Sequence, residues 1–250
     1  MRNFGLACLV LVIILGLGFL IAEAKVTTFT IAGSTSVQPI IEILAQEYMA
    51  LHPQTRINVQ GGGSSAGVKA AATGTAAIGM ASRQLHPEER KLWKFTLAYD
   101  SIAVIVHPTN PIANLTTEQI HDIFNGEITD WSQVGGKPGP INVITREEGS
   151  GTRSAFEELI LKKKPIIANA IVQGSTGAVK ATISRDPSSI GYISSAIADQ
   201  TIKILKDNIN RPFLLLCATK PSGAVADFIS WLRTPEAIAI LTAEGLVPVK

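Results

Sequence analysis

The chain's 250 residues carry 22 Lys and Arg against 20 Asp and Glu, for a net charge of +2. That balance argues against bulk nucleic-acid binding, which needs a basic stripe, and the longest like-charge run, Lys162-Lys163-Lys164, reads as a solvated helix end. Two cysteines exclude a disulfide framework, while the length past residue 24 suffices for two modest α/β domains.

Arg2 precedes an apolar run from Phe4 to Ile21, followed by Ala22-Glu23-Ala24. A charged start, an apolar stretch and an A-x-A site predict a secretory signal peptide over residues 1–24, cut after Ala24, and so export to the periplasm. The alternative is an uncleaved anchor, because 18 apolar residues nearly span a bilayer. Cys8 has almost no apolar run before it and does not fit a lipoprotein cysteine. Cys217, inside Phe213-Leu214-Leu215-Leu216-Cys217, reads as a small buried residue.

Thr28 to Ala32 reads as a strand, and Val37 to Leu51 as a helix with Ile40, Ile41, Leu44, Ala45 and Tyr48 on one face, stopped by His52-Pro53. Arg56 to Gln60 predicts a strand, 66–73 a helix of small residues and 76–81 a short apolar strand. Ser101 to His107 is apolar throughout its middle and reads as a buried strand. Thr116-Thr117-Glu118-Gln119 is a capping box opening a helix to Phe124. Ile141 to Thr145 predicts a strand, 153–161 a helix, and 223–233 and 235–243 two closing helices. Strands alternating with helices indicate the α/β class with parallel pairing.

Three loops rich in Gly and Ser or Thr each follow a strand and open a helix: Ala32-Gly33-Ser34-Thr35-Ser36, Gly61-Gly62-Gly63-Ser64-Ser65-Ala66-Gly67 and Arg146-Glu147-Glu148-Gly149-Ser150-Gly151-Thr152. Free backbone N–H groups at helix starts, with hydroxyls beside them, suit an oxyanion. Arg146 can grip one bidentately, with Glu148 holding the guanidinium. An internal echo links Ser64-Ser65-Ala66-Gly67-Val68-Lys69-Ala70 to Ser175-Thr176-Gly177-Ala178-Val179-Lys180-Ala181, 111 residues on, and each is followed by an Ile-Gly strand. Two similar halves facing each other would make a cleft at the carboxyl ends of their strands.

Competing motifs fare less well. Gly63-Ser64-Ser65-Ala66-Gly67 matches a nucleophile elbow with Ser65 as nucleophile, but the downstream histidines His86, His107 and His121 make no clear triad. Gly61-x-Gly63-x-x-Ala66 fits a dinucleotide fingerprint, yet the region near residue 80 lacks its acidic residue. There is no G-x-x-x-x-G-K-[ST] loop and no metal-ligand spacing, so neither a cofactor nor a catalytic metal is expected.

Taken together, Ala32-Gly33-Ser34-Thr35-Ser36-Val37-x-Pro39, Gly63-Ser64-Ser65-x-Gly67, Ile123-Phe124-Asn125-Gly126-Glu127-Ile128-Thr129-Asp130-Trp131, Arg146-x-x-Gly149-Ser150-Gly151-Thr152 and Ile190-Gly191-Tyr192 resemble the phosphate-binding proteins of Pst-type ABC transporters. The resemblance implies a two-domain type II periplasmic-binding fold with the ligand in the cleft: domain I over 25–103 and 217–250, domain II over 104–216, and crossing strands near 101–106 and 214–219. It implies capture of inorganic phosphate by Thr35, Ser36, Ser64, Ser82, Arg146, Ser150, Gly151 and Thr152, with Glu148 positioning Arg146. The implied partners are a membrane permease and an ATPase, served by a monomer that does no catalysis. Where the family often has an aspartate after the strand ending at Ala81, this chain has Ser82, whose hydroxyl carries no charge penalty against sulfate. Sulfate or molybdate binding, and phosphate sensing without transport, are the alternatives.

Overall fold

The computed structural model describes residues 26–249, so the signal peptide expected over residues 1–24 lies outside the described residues. In chain order the elements are β1 (Thr27–Gly33), α1 (Gln38–Leu51), β2 (Thr55–Gly61), α2 (Ser64–Thr73), β3 (Ile78–Ala81), β4 (Trp93–Val106), α3 (Thr117–Asn125), β5 (Asn142–Arg146), α4 (Gly151–Leu159), β6 (Ile171–Gln173), α5 (Thr176–Ile183), β7 (Ser189–Ser194), β8 (Lys203–Cys217), α6 (Gly223–Trp231), α7 (Pro235–Ala243) and β9 (Val247–Pro248). The sheet order is β2-β1-β3-β8-β4-β7-β5-β6, with β9 paired to β4.

The echo in the sequence corresponds to a repeat of topology. β1, β2 and β3 are parallel with α1 and α2 between them, and β5, β6 and β7 repeat that strand–helix–strand–helix–strand order with α4 and α5. In each triplet the first strand lies in the middle, giving β2-β1-β3 and β6-β5-β7. The strands' carboxyl ends therefore deliver two sets of loops, and β4 and β8, antiparallel to each other, run between the sets.

Each half has its own core. The first collects Ile40, Leu44 and Tyr48 of α1 with Ile31, Phe95, Phe213, Phe228 and Leu241. The second collects Ile120, Phe124, Phe156 and Tyr192 with Ile102, Val104 and Leu205. Along β4 the core partner changes between Ala98 and Ile102, and along β8 between Ile209 and Phe213. Both changes come earlier than the boundaries expected after residues 103 and 216. The reason is that β4 and β8 are longer than their apolar runs: Trp93–Asp100 and Lys203–Arg211 mix polar with apolar residues yet still belong to the paired strands. Register shifts flank the crossing on β4, at Thr96/Ala98 and Ile102/Val104, and such shifts bend and twist a strand pair.

Candidate functional site

Glycine lets the loops come together. Gly33, at φ 140°, ends β1 where a side chain would strike the Met80 carbonyl and lie 2.8 Å from Gly67 Cα. Gly63, at φ 88°, donates its N–H to Gly33 O at 3.0 Å and opens α2. From the other half, Gly149 at φ 84° turns the chain into α4, whose start is capped by Ser150 Oγ accepting from Arg153 N–H at 3.3 Å. Ser175 caps α5 in the same way, accepting from Ala178 N–H at 3.0 Å. The Ser65 N–H donates to Gly149 O at 3.1 Å, so the two halves meet through main chain.

Of the residues expected from sequence, Thr35, Ser36, Ser64, Ser82, Arg146 and Thr152 share one hydrogen-bonded cluster. Gly151 lies against Ser64 Oγ and Ser82 Oγ so closely that no side chain fits. Ser150 is buried, and its Oγ accepts the capping N–H of Arg153, which leaves the hydroxyl proton free to donate. Glu148 is a correction. It is exposed, and the neighbouring Glu147 holds Arg146, its carboxylate accepting from Nε at 2.8 Å and Nη2 at 2.7 Å. Residues 147–150 form a turn in which Ser150 N–H donates to Glu147 O at 3.3 Å, and it leaves Glu147 beside the guanidinium while Glu148 stands out in solvent.

Sequence reasoning missed Thr176, Asp100 and Arg211. Arg146 is 1% exposed; its Nη1 donates to Thr176 Oγ1 at 2.8 Å and its Nη2 to Thr35 Oγ1 at 3.2 Å. Arg211, 2% exposed, donates from Nε and Nη2 to Asp100 Oδ2 at 3.1 and 2.9 Å. Its Nη1 donates to Thr152 Oγ1 at 2.7 Å and Ser82 O at 3.2 Å. The echo could have flagged Thr176, which it aligns with Ser65. The only signal for the ion pair was a lone arginine heading an apolar run.

Burial pulls Arg211 below its ordinary value and pushes the Asp100 carboxyl up, while each charge opposes the other's shift. The two guanidinium N–H groups converging on Asp100 Oδ2 and the Ser194 hydroxyl donated to Asp100 Oδ1 at 2.8 Å favour the ionised pair. Tyr192, stacked on Phe156 at 4.2 Å, is pushed up to about 12 by burial. Kept neutral, its hydroxyl meets Thr145 Oγ1 at 2.7 Å and accepts from Arg146 N–H at 3.3 Å.

Counting protons shows what the cluster can do. Ser36 Oγ lies 2.9 Å from Thr152 Oγ1 and 2.8 Å from Thr176 Oγ1, so a row of three hydroxyls runs between Arg211 and Arg146. Two guanidinium N–H groups and three O–H groups bring five protons to four hydrogen bonds. One hydroxyl proton has no acceptor in the row. A second row repeats this arithmetic: Ser34, Ser82 and Ser64 hydroxyls are closed at the ends by Ser36 N–H and Ser82 N–H. Buried donors require acceptors, and the starts of α2, α4 and α5 add positive dipole ends. The arrangement fits a small ligand rich in acceptors and negatively charged.

Ser65 is exposed, and among the described residues no histidine is hydrogen-bonded to it. No group of three or more His, Cys, Asp or Glu among the described residues could hold a metal ion. No described helix is long and apolar enough to cross a membrane.

A model of the PBP superfamily domain matches residues 21–216. The phosphate-binding protein PstS of Borreliella burgdorferi is 34% identical, the alignment covering 88% of this chain and 90% of that protein. PstS of Bacillus subtilis is 27% identical over 89% and 81%. Among solved structures, a Clostridium perfringens substrate-binding protein with bound phosphate, assigned to phosphate ABC transport, superposes with a TM-score of 0.86 at 35% identity, covering 90% of this chain and all of that one. An ABC-type phosphate transport receptor of Vibrio cholerae gives 0.73 at 34% identity, over 88% and 100%. The fold is the mixed α/β fold of periplasmic binding proteins.

Proposed function

The chain belongs to the PstS-type phosphate-binding proteins of the PBP superfamily, and from that membership we propose that it captures inorganic phosphate among the loops described above and delivers it to the permease and ATPase of an ABC transporter. It is a transport receptor and not an enzyme. The observation that carries phosphate to this site is the surplus of donors: two buried guanidiniums and two hydroxyl rows with more protons than acceptors. Thr35, Ser36, Ser64, Ser82, Arg146, Ser150, Gly151 and Thr152 form the binding surface. Ser150 also caps α4, and Glu147 takes the part expected of Glu148.

The protein works outside the cytoplasm. The charged, apolar and A-x-A pattern of residues 1–24 supports cleavage after Ala24 and release into the periplasm. The change of core along β4 and β8 supports two domains, close to 25–103 with 217–250 and to 104–216, that close on the anion. Gene neighbours encoding a permease and an ATPase would separate transport from sensing.

Each charge-assisted hydrogen bond contributes about 1.5–3 kcal/mol, and a micromolar complex needs only about −8 kcal/mol. The excess goes into stripping water from the anion and ordering the closed form. By titration calorimetry, Arg146→Ala should lose phosphate affinity by about tenfold or more. Equal affinities for wild type and variant would remove the assignment.

A further inference from the structure

Where residues 83–90, after β3, face residues 153–165, in α4 and the loop beyond it, the two halves leave a cavity of about 630 Å³ between them. It lies next to the anion cluster, since Arg83 follows Ser82 and Arg153 follows Thr152 in the chain. Among the described residues no hydrogen bond or ion pair joins its two walls.

We propose that this cavity is a second anion site, which takes a small linear polyphosphate and, by tying the halves together, strengthens their hold on phosphate. The coupling rests on the phosphate-capture reading above; the occupation of the cavity does not.

Three features support the inference. First, residues 83–91 carry three Arg or Lys against two Glu, and residues 153–165 carry four against two. That surplus of three cations exceeds the +2 of the whole chain, and counting Glu127, 3.5 Å from Lys164, still leaves two. The surplus does not come from guanidiniums cancelled by their own carboxylates: Arg83 is paired with Glu89 at 2.7 Å and Arg153 with Glu157 at 2.7 Å. It comes from Arg90 on one wall and Lys163 on the other, both exposed and, among the described residues, without an ion-pair partner. Lys164 adds to it, because an exposed ion pair holds its charge only weakly.

Second, Arg83 lines the cavity at 3% exposure and leaves one donor unmet. Its two Nη groups donate to Glu89 and to Gln84 O, whereas its Nε has no acceptor. Buried donors require acceptors.

Third, the lysine run is held in an uncommon backbone. Lys162 and Lys163 have φ of 49° and 69°, a region where few residues other than glycine and asparagine settle. Lys163 N–H donates to Glu157 O at 2.9 Å and Lys164 N–H to Leu161 O at 2.8 Å. The main chain thus fixes a bend that leaves Lys163 and Lys164, but not Lys162, on the cavity wall.

The lining also selects the occupant. It includes no Phe, Tyr or Trp, so a nucleobase would find no such ring to stack on. Free cations on opposite walls call for a ligand charged at more than one point, which a short chain of phosphates supplies. A ligand that needs both walls favours the arrangement in which the halves meet, and that arrangement also assembles the anion cluster. Each ligand therefore raises the affinity for the other.

The test is calorimetric titration of the full mature protein with phosphate at low ionic strength, with excess tripolyphosphate or with sodium chloride of equal ionic strength. Tripolyphosphate should raise phosphate affinity about fivefold. The double variant Arg90→Gln/Lys163→Asn removes the two free cations outside the anion cluster, and asparagine suits the positive φ at 163. It should bind phosphate as wild type does and lose the rise.

An unchanged phosphate affinity in wild type overturns the proposal. So does a fall, which would mark competition for the anion cluster, or a rise that the double variant keeps. Wild type that binds no phosphate overturns phosphate capture and the coupling with it, and direct titration with tripolyphosphate then decides the cavity. Binding that weakens about fivefold or more in the double variant keeps the site, and equal binding or none overturns it.

Discussion

A carbon atom added at Gly151 would strike Ser64 Oγ and lie 2.7 Å from Ser82 Oγ. The residue is helical with no positive φ, so alanine suits its backbone and would lower the entropy of the unfolded chain. The clash outweighs that gain, so Gly151→Ala should lose both stability and binding. Thermal unfolding without phosphate should come at a lower temperature, and phosphate affinity should fall by about tenfold or more because α4 cannot approach Ser64. Equal affinity would show that this approach is not needed for binding. Residues of this kind are partly legible in sequence. The Gly-Ser-Gly-Thr run announced a close approach, and Arg146 announced a cation. Glu147 and Glu148 are chemically identical neighbours, and only the course of the loop decides which faces inward.

Elements were more legible than their lengths. The capping box at Thr116 forms as its spacing implies: Thr116 Oγ1 accepts from Gln119 N–H at 3.1 Å, and Gln119 Oε1 accepts from Thr116 N–H at 2.9 Å. None of its bonds reaches a site hydroxyl, so Thr116→Ala should cost about 1 kcal/mol of stability and leave phosphate affinity unchanged. A loss of affinity in that variant would tie α3 to the site. The parallel triplets followed from alternating strands and helices, and the 111-residue echo anticipated their shared topology. The first half of β8, Lys203 to Arg211, was illegible because its polar and apolar residues show neither a run nor a regular alternation. Arg211 is therefore invisible as a site residue until its pairing with Asp100, 111 positions away, is known.

For the whole molecule, the two cores are tied by paired strands and not by loose linkers. β4 has 14 residues and β8 has 15, and the hydrogen-bonded ladder between them continues from Trp93 opposite Cys217 to Val106 opposite Lys203. Calorimetry should show a single unfolding transition, because neither core can lose its strands without disturbing the other. Phosphate at about 100 times its dissociation constant should stabilise by about 2.7 kcal/mol. Two separate transitions, both insensitive to phosphate, would contradict this coupling.

The same ladder constrains how the anion leaves. Tyr99, Asp100 and Ser101 lie opposite Pro212, Arg211 and Asn210, so there is no glycine at the crossing to serve as a free swivel. Parting the halves means bending or twisting a bonded strand pair, and Arg211 sits on the fulcrum. Any such bend shifts Arg211 Nη1 relative to Thr152 Oγ1, since one belongs to the strand that flexes and the other to a helix carried by the moving half. Opening the cleft and loosening one of its two cations then become a single mechanical event. A partner that pries the halves apart would at the same stroke lower the affinity that held the cargo.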